Sequence, residues 1–133
     1  MTIELATALR MVAAAHAEAG RRSILVSAAV VDAGGHLIAF GRMDGAEIAG
    51  PTLAVDKAFT AVANRIATSE LARLAAPGGE LFGLHANAGG RFVIFGGGVP
   101  VTVDGVVVGG IGVSGASAAE DEECAMAGLT CLT

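Results

Sequence analysis

A chain of 133 residues with 13 acidic and 8 basic side chains carries a net charge of −5. That length suits one domain spanning 1–133. The acidic balance, with no Trp or Tyr beside the scattered cations, argues against a nucleic-acid partner. Hydrophobic content is 53%, but 20 glycines interrupt the apolar runs. None therefore reaches the ~18 residues of a membrane helix, and no signal-peptide pattern opens the chain. A cytoplasmic protein is expected. So is a homo-oligomer, because a small monomer has little room to hide this much aliphatic surface.

In chain order, residues 3–19 read as a helix, with Leu5, Leu9, Val12 and His16 forming one stripe and Gly20 stopping it. Residues 24–32 read as an apolar strand. Ala33, Gly34 and Gly35 turn it, and residues 36–42 pair back as a hairpin. A loop begins at Asp44. Pro51 suits the first turn of a second helix reaching about residue 67. On that helix Val55, Phe59, Val62 and Ile66 share one face, and Lys57, Thr60 and Asn64 the opposite one. A short helix over 69–75 ends at Pro77-Gly78-Gly79, residues 80–90 are irregular, and 91–95 read as a strand.

The last third is the most legible. Gly96–Gly98 lead into a strand over 99–103. Asp104-Gly105 is a two-residue hairpin turn needing positive φ twice. A strand over 106–113 opens through Ser114 and Gly115 into an acidic helix. Ser117 and Glu120 have capping-box spacing, which starts that helix near Ala118. Cys124 and Cys131, seven residues apart on one helix, would be separated by about 10 Å of rise. They could not form a disulfide.

The order α-β-β-α-α-β-β-β-α implies an α/β protein of α+β type, with a five-stranded antiparallel sheet and flanking helices. No helix follows Gly96–Gly98 directly and no Gly-Lys-Ser/Thr is present, so neither a dinucleotide fingerprint nor a P-loop is indicated.

Several residues could carry chemistry. Lys57 is either part of a solvated face or a pocket lysine that binds a carboxylate or, once desolvated, moves a proton. Arg42 and Asp44 form either a strand-end ion pair or an anion grip with a base beside it. His16 is either a core histidine satisfied by a carbonyl or an axial ligand to haem iron. Gly97, Gly98, Ser114 and Gly115 could line a ligand beside the start of the last helix, whose free N–H groups attract anions. His36 and His85 show no metal-ligand spacing, so no metal site is expected. Ser114 lies outside a nucleophile elbow. Asp121 and Glu122 are explained by the helix dipole or by contact with the pocket or a subunit interface.

The motifs together resemble a family. Gly97-Gly98-x-Pro100, the run from Gly105 through Gly109-Gly110-Ile111-Gly112-Val113-Ser114-Gly115, and Asp121-Glu122 are similar to the GlcG/HbpS haem-binding-like family. That family is also found as the C-terminal domain of PduO corrinoid adenosyltransferases. Val31-Asp32-Ala33-Gly34-Gly35, Arg42-Met43-Asp44-Gly45-Ala46 and Lys57-Ala58-x-Thr60-Ala61 agree with it. The resemblance covers nearly the whole chain and implies a profilin-like α/β/α arrangement. Members are variously linked to haem, to corrinoid metabolism or to no known activity.

Three functions follow as expectations. One is binding of haem or a related tetrapyrrole, with His16 on iron and Arg42 and Lys57 on propionates. Another is a cofactor-free isomerase, lyase or hydrolase acting on a small anionic metabolite. There Lys57 or Asp44 would move the proton and Arg42 would hold a carboxylate. The third is an accessory or sensory protein without catalysis.

Overall fold

The computed structural model describes residues 1–132. A helix α1 (Leu5–Arg21) is followed by the hairpin β1 (Ser27–Asp32) and β2 (Leu37–Arg42), then α2 (Gly50–Asn64) and α3 (Thr68–Leu74). Two short 3₁₀ turns precede β3 (Gly98–Val103) and β4 (Val106–Ser114). Helix α4 (Ala118–Leu129) and a final 3₁₀ turn close the order. The strands form one antiparallel sheet in the order β2-β1-β4-β3.

The sheet has four strands, not the five expected. Residues 91–95 make no ladder because α2 supplies their partners. The Val93 N–H donates to Thr60 Oγ1 at 3.0 Å, and the Arg91 carbonyl accepts from the same hydroxyl. The Arg91 guanidinium lies 3.8 Å from the Phe59 ring centroid and pairs with Asp56 at 2.9 Å. A segment so satisfied has no need of a strand neighbour.

Alternation along β4 assigns the layers. Ile111 meets Gly128 of α4, whereas Gly110 and Gly112 face Ala58 and Ala54 of α2. Helices α1 and α4 therefore pack together on one face and α2 covers the other. Close packing of small residues decides which helix faces turn inward. In α1 the buried set is Ala8, Met11, Val12, Ala15 and Ala19, while Leu5 and Leu9 stay 57% and 51% exposed. The expected leucine stripe is thus only marginal to the core, and α1 continues through Gly20 to Arg21. In α2 the inward face is Ala54, Lys57, Ala58, Ala61 and Val62; Val55 and Phe59 are only half-buried, as is Ile66 beyond the helix end. The glycines of β4 let α2 sit this close: Gly110 meets Ala58 and Val62, and Gly112 meets Ala54 and the Lys57 stem.

Other expectations hold at atomic detail. Asp104 and Gly105 have φ of 50° and 79°. Ser117 and Glu120 form the reciprocal capping box. Helix α2 ends earlier than expected, at Asn64, where Arg65 turns left-handed. Cys124 lies buried in α4, and Cys131 lies beyond it in the last 3₁₀ turn, so the two do not share one helix. Both are free thiols.

Gly112 is the tightest test of this packing. A Cβ there would strike the Ala54 carbonyl and lie 2.5 Å from the Ala58 nitrogen. Gly112→Ala should cost about 3 kcal/mol in urea melts by forcing α2 off the sheet. Gly20→Ala, with nothing within 4 Å of the new methyl, should instead be neutral or stabilise by up to about 1 kcal/mol.

Candidate functional site

The site is built at the end of the sheet where β4 runs out. Lys57 projects from the inward face of α2 and is 1% exposed. Its Nζ donates to the Val113 carbonyl at 2.9 Å and to Asp121 Oδ2 at 3.1 Å. Asp121 comes from the first turn of α4, on the other side of the sheet, and is 2% exposed. Its second oxygen accepts the Ala116 N–H at 2.9 Å. The Phe95 ring covers the remaining side of the ammonium, its centroid 5.2 Å from Nζ. Burial pushes the Lys57 ammonium below its ordinary range, opposed by Asp121 and more weakly by Glu47. Burial likewise raises Asp121, opposed by Lys57 and by the backbone N–H groups of Ala116 and Gly115. Both directions favour the neutral amine and acid, as expected of charges removed from water.

Several expected site residues meet here. A Cβ at Gly97 would lie 2.6 Å from Nζ, and φ there is +133°, so only glycine lets this loop close over the amine. Gly98 abuts the Lys57 backbone, and its N–H donates to the buried Thr68 hydroxyl at 2.9 Å. Ser114 is buried opposite Ser27 in the β1–β4 ladder, and Gly115 packs on Leu25 and Val26. In this conformation Lys57, Thr68, Leu25 and Val26 pack against these glycines.

Arg42 pairs with Ser27 on the other side of β1, so it reaches the same end of the sheet. Its guanidinium donates to the Ala46 carbonyl at 2.7 Å and not to Asp44. Asp44 is exposed and makes no hydrogen bond or ion pair with a described residue. The expected proton-transfer set of Lys57, Arg42 and Asp44 therefore does not assemble around a common ligand in this conformation.

His16 lies on the opposite face. It packs against Gly41 and Val12, and Gly41 stands in register with Ala28 and Val113 on the α1 and α4 side. His16 thus stands on the α1 and α4 side, whereas Lys57 comes from α2 and meets Asp121 at the end of the sheet. The imidazole is half-buried, with Nε2 3.0 Å from the Gly41 carbonyl. A carbonyl only accepts, so Nε2 is the donor, and in a neutral imidazole Nδ1 then holds the lone pair.

His36 is exposed and bonds Asp32 in the hairpin turn, and exposed His85 lies edge-on to Phe82. Among the described residues no group of three or more His, Cys, Asp or Glu could hold a metal ion. The Cys124 thiol is pushed up to about 11 by burial, which leaves it a packing residue. A groove of about 510 Å³ lies elsewhere, between α1 and α4, lined by Ala14, Ala17, Glu18, Arg21, Met126 and Ala127 among others.

Asp121 as the partner of Lys57, and Phe95 as its cover, are not legible from motif spacing. One signal was present: Lys57 is the only lysine beside seven arginines.

Comparison with known proteins places this geometry in a family. Residues 3–130 match the model of the haem degrading protein HbpS-like family. An uncharacterized 15.0 kDa protein of the dhaT-dhaS intergenic region of Citrobacter freundii is 39% identical, over 99% of this chain and 93% of its own length. The crystal structure of a PduOC:haem complex superposes with a TM-score of 0.94 at 34% identity, covering 98% of this chain and 95% of that one. The crystal structure of HbpS superposes with a TM-score of 0.90 at 38% identity, covering 100% and 92% of the two chains. The chain belongs to the HbpS-like family.

The buried pair yields a double-mutant cycle. Lys57→Met leaves the Asp121 carboxylate desolvated and should cost roughly 3–5 kcal/mol in denaturant melts. Lys57→Met with Asp121→Asn should cost clearly less than the sum of the single changes. Strict additivity would show that the two side chains are not energetically coupled.

Proposed function

We propose that this protein is a GlcG/HbpS-type small-ligand-binding protein whose ligand is haem or a related tetrapyrrole, taken up beside His16. The observation that carries the reading is the state of that imidazole. Its Nε2–H is committed to the Gly41 carbonyl at 3.0 Å. A ligating histidine is oriented in this way, one ring nitrogen bonded to a carbonyl and the other open to a metal. Leu5 and Leu9 remain exposed on the stripe of α1 that leads to it, and provide apolar surface for a flat macrocycle. The residues present fit the group. His16 would hold the iron through Nδ1, Gly41 would fix the ring, and Leu5 and Leu9 would exclude water from one flank. Bound haem would supply a redox-active iron whose potential and reactivity depend on that axial ligand. The complex named for PduOC, a relative at 34% identity, supports the ligand class.

The same reading includes self-association in the cytoplasm. Leu5, Leu9, Leu37, Ile48 and Phe82 are all more than half exposed on a 13.0 kDa chain, and free thiols suit a reducing compartment. No helix among the described residues is long and apolar enough to cross a membrane.

Haemin titration of the apoprotein should give a saturable Soret band, and His16→Ala should lose or shift it. An unchanged spectrum in His16→Ala would reject His16 as the ligand. Light scattering at micromolar concentration should give at least twice the 13.0 kDa chain mass. A monomer alone would remove self-association from the reading.

A further inference from the structure

The chain places its only lysine, of eight cationic residues, at a fully buried position. All seven arginines remain at least partly exposed. The loop at Gly97 leaves room at this position for a slim amine. An arginine fork bonds a carboxylate through two parallel contacts, whereas an amine can become a nucleophile. The surroundings are those of a reactive amine. Nζ has an acid 3.1 Å away and a carbonyl 2.9 Å away, which together hold two of its three protons. The third direction meets the Phe95 ring. Phe95 is 44% exposed and lies just before β3, outside the strand ladder. Its ring is therefore a removable cover between the amine and solvent, and side-chain rotation suffices to move it.

We propose that Lys57 is a covalent capture site for a small aldehyde, with Phe95 as its gate and Asp121 as its proton carrier. The amine proton first passes to Asp121, leaving a neutral amine beside a carboxylic acid. The nitrogen lone pair attacks the carbonyl carbon, the C=O π bond breaks, and Asp121 gives its proton to the oxygen. The resulting carbinolamine nitrogen returns a proton to the Asp121 carboxylate. Asp121 delivers it to the hydroxyl, the C–O bond breaks and water leaves. The product is a protonated imine paired with the Asp121 carboxylate, which restores the original charges. No oxidant or second substrate is needed. Burial favours the neutral starting pair, in keeping with the directions in which both groups are displaced. Gly97 and Gly98 close on the lysine from one side, so the captured carbon chain must be short and must leave past Phe95. The site owes nothing to His16, which lies on the other face, so its test is independent of haem.

The sequence makes the test clean, because Lys57 and the terminal α-amino group are the amines available. Native protein is treated with acetaldehyde and cyanoborohydride, and its peptides are mapped by mass spectrometry. Ethylation of Lys57 is expected in the folded wild type, several-fold faster in Phe95→Ala and strongly slowed in Asp121→Asn. The charged groups facing the amine are Asp121 from α4 and Glu47 from the loop before α2. Asp121→Asn should therefore move the pH profile of capture more than Glu47→Gln. Phe95→Ala alters a half-exposed side chain and should fold, so it decides the matter even where Asp121→Asn does not. Labelling of the α-amino group alone in native wild type and native Phe95→Ala, with Lys57 reacting only in denaturant, overturns the proposal. Equal Lys57 rates in wild type and Phe95→Ala overturn it as well, by removing the gate.

Discussion

The ion pair between Lys57 and Asp121 joins α2 to α4 past the end of the sheet. Elsewhere the sheet separates α2 from α1 and α4. At the end of β4 the lysine of one layer reaches the aspartate of the other, and the Val113 carbonyl bonds the same amine. Much of the local sequence answers to this contact. Gly97 must lack a side chain for the loop to pass over Nζ, and the Ala116 N–H must point inward to take the second Asp121 oxygen. The capping box at Ser117 and Glu120 fixes where α4 starts and so where its first-turn carboxylate stands.

The second constraint is the thinness of the packing. Ala54 and Ala58 lie on Gly112 and Gly110, and Met11 packs on Gly128. Helices seated this close bury alanine and glycine in preference to larger side chains, and leave leucine and phenylalanine at the margins. That explains how a chain with 53% hydrophobic residues still exposes Leu5 and Leu9. The apolar surface spared from the core is then available for a ligand or a second chain.

This packing also decided what could be read from the sequence. Local chemistry was legible wherever one or two residues settle the backbone: the Asp104-Gly105 turn, the Ser117 cap and the hairpin closed at Gly35. Patterns that assume large apolar residues face inward failed. They put Leu5 and Leu9 on the inward stripe of α1, and left Lys57 between a solvated face and a pocket. Residues 91–95 have the composition of a strand, but their hydrogen bonds go to Thr60, about thirty positions away, which no local pattern encodes. Asp121 was hidden for a related reason. An acid in a first helical turn is already explained by the dipole, and its true partner is 64 residues distant.

The separation of His16 from Lys57 follows from strand alternation, yet both are tied to the same row of the sheet. His16 bonds the Gly41 carbonyl and Lys57 bonds the Val113 carbonyl. Gly41 and Val113 are the two neighbours of Ala28 in the ladder. One cross-strand row therefore orients an imidazole on one side and an amine at its far end. Ala28 is fully buried, and its neighbours in β1 are held by strands on both sides. Coupling between sites requires a bistable element, and this row is held by ladder bonds on both sides. The sheet thus serves as a fixed frame for both groups, and occupancy at the imidazole should leave the chemistry of the amine unchanged.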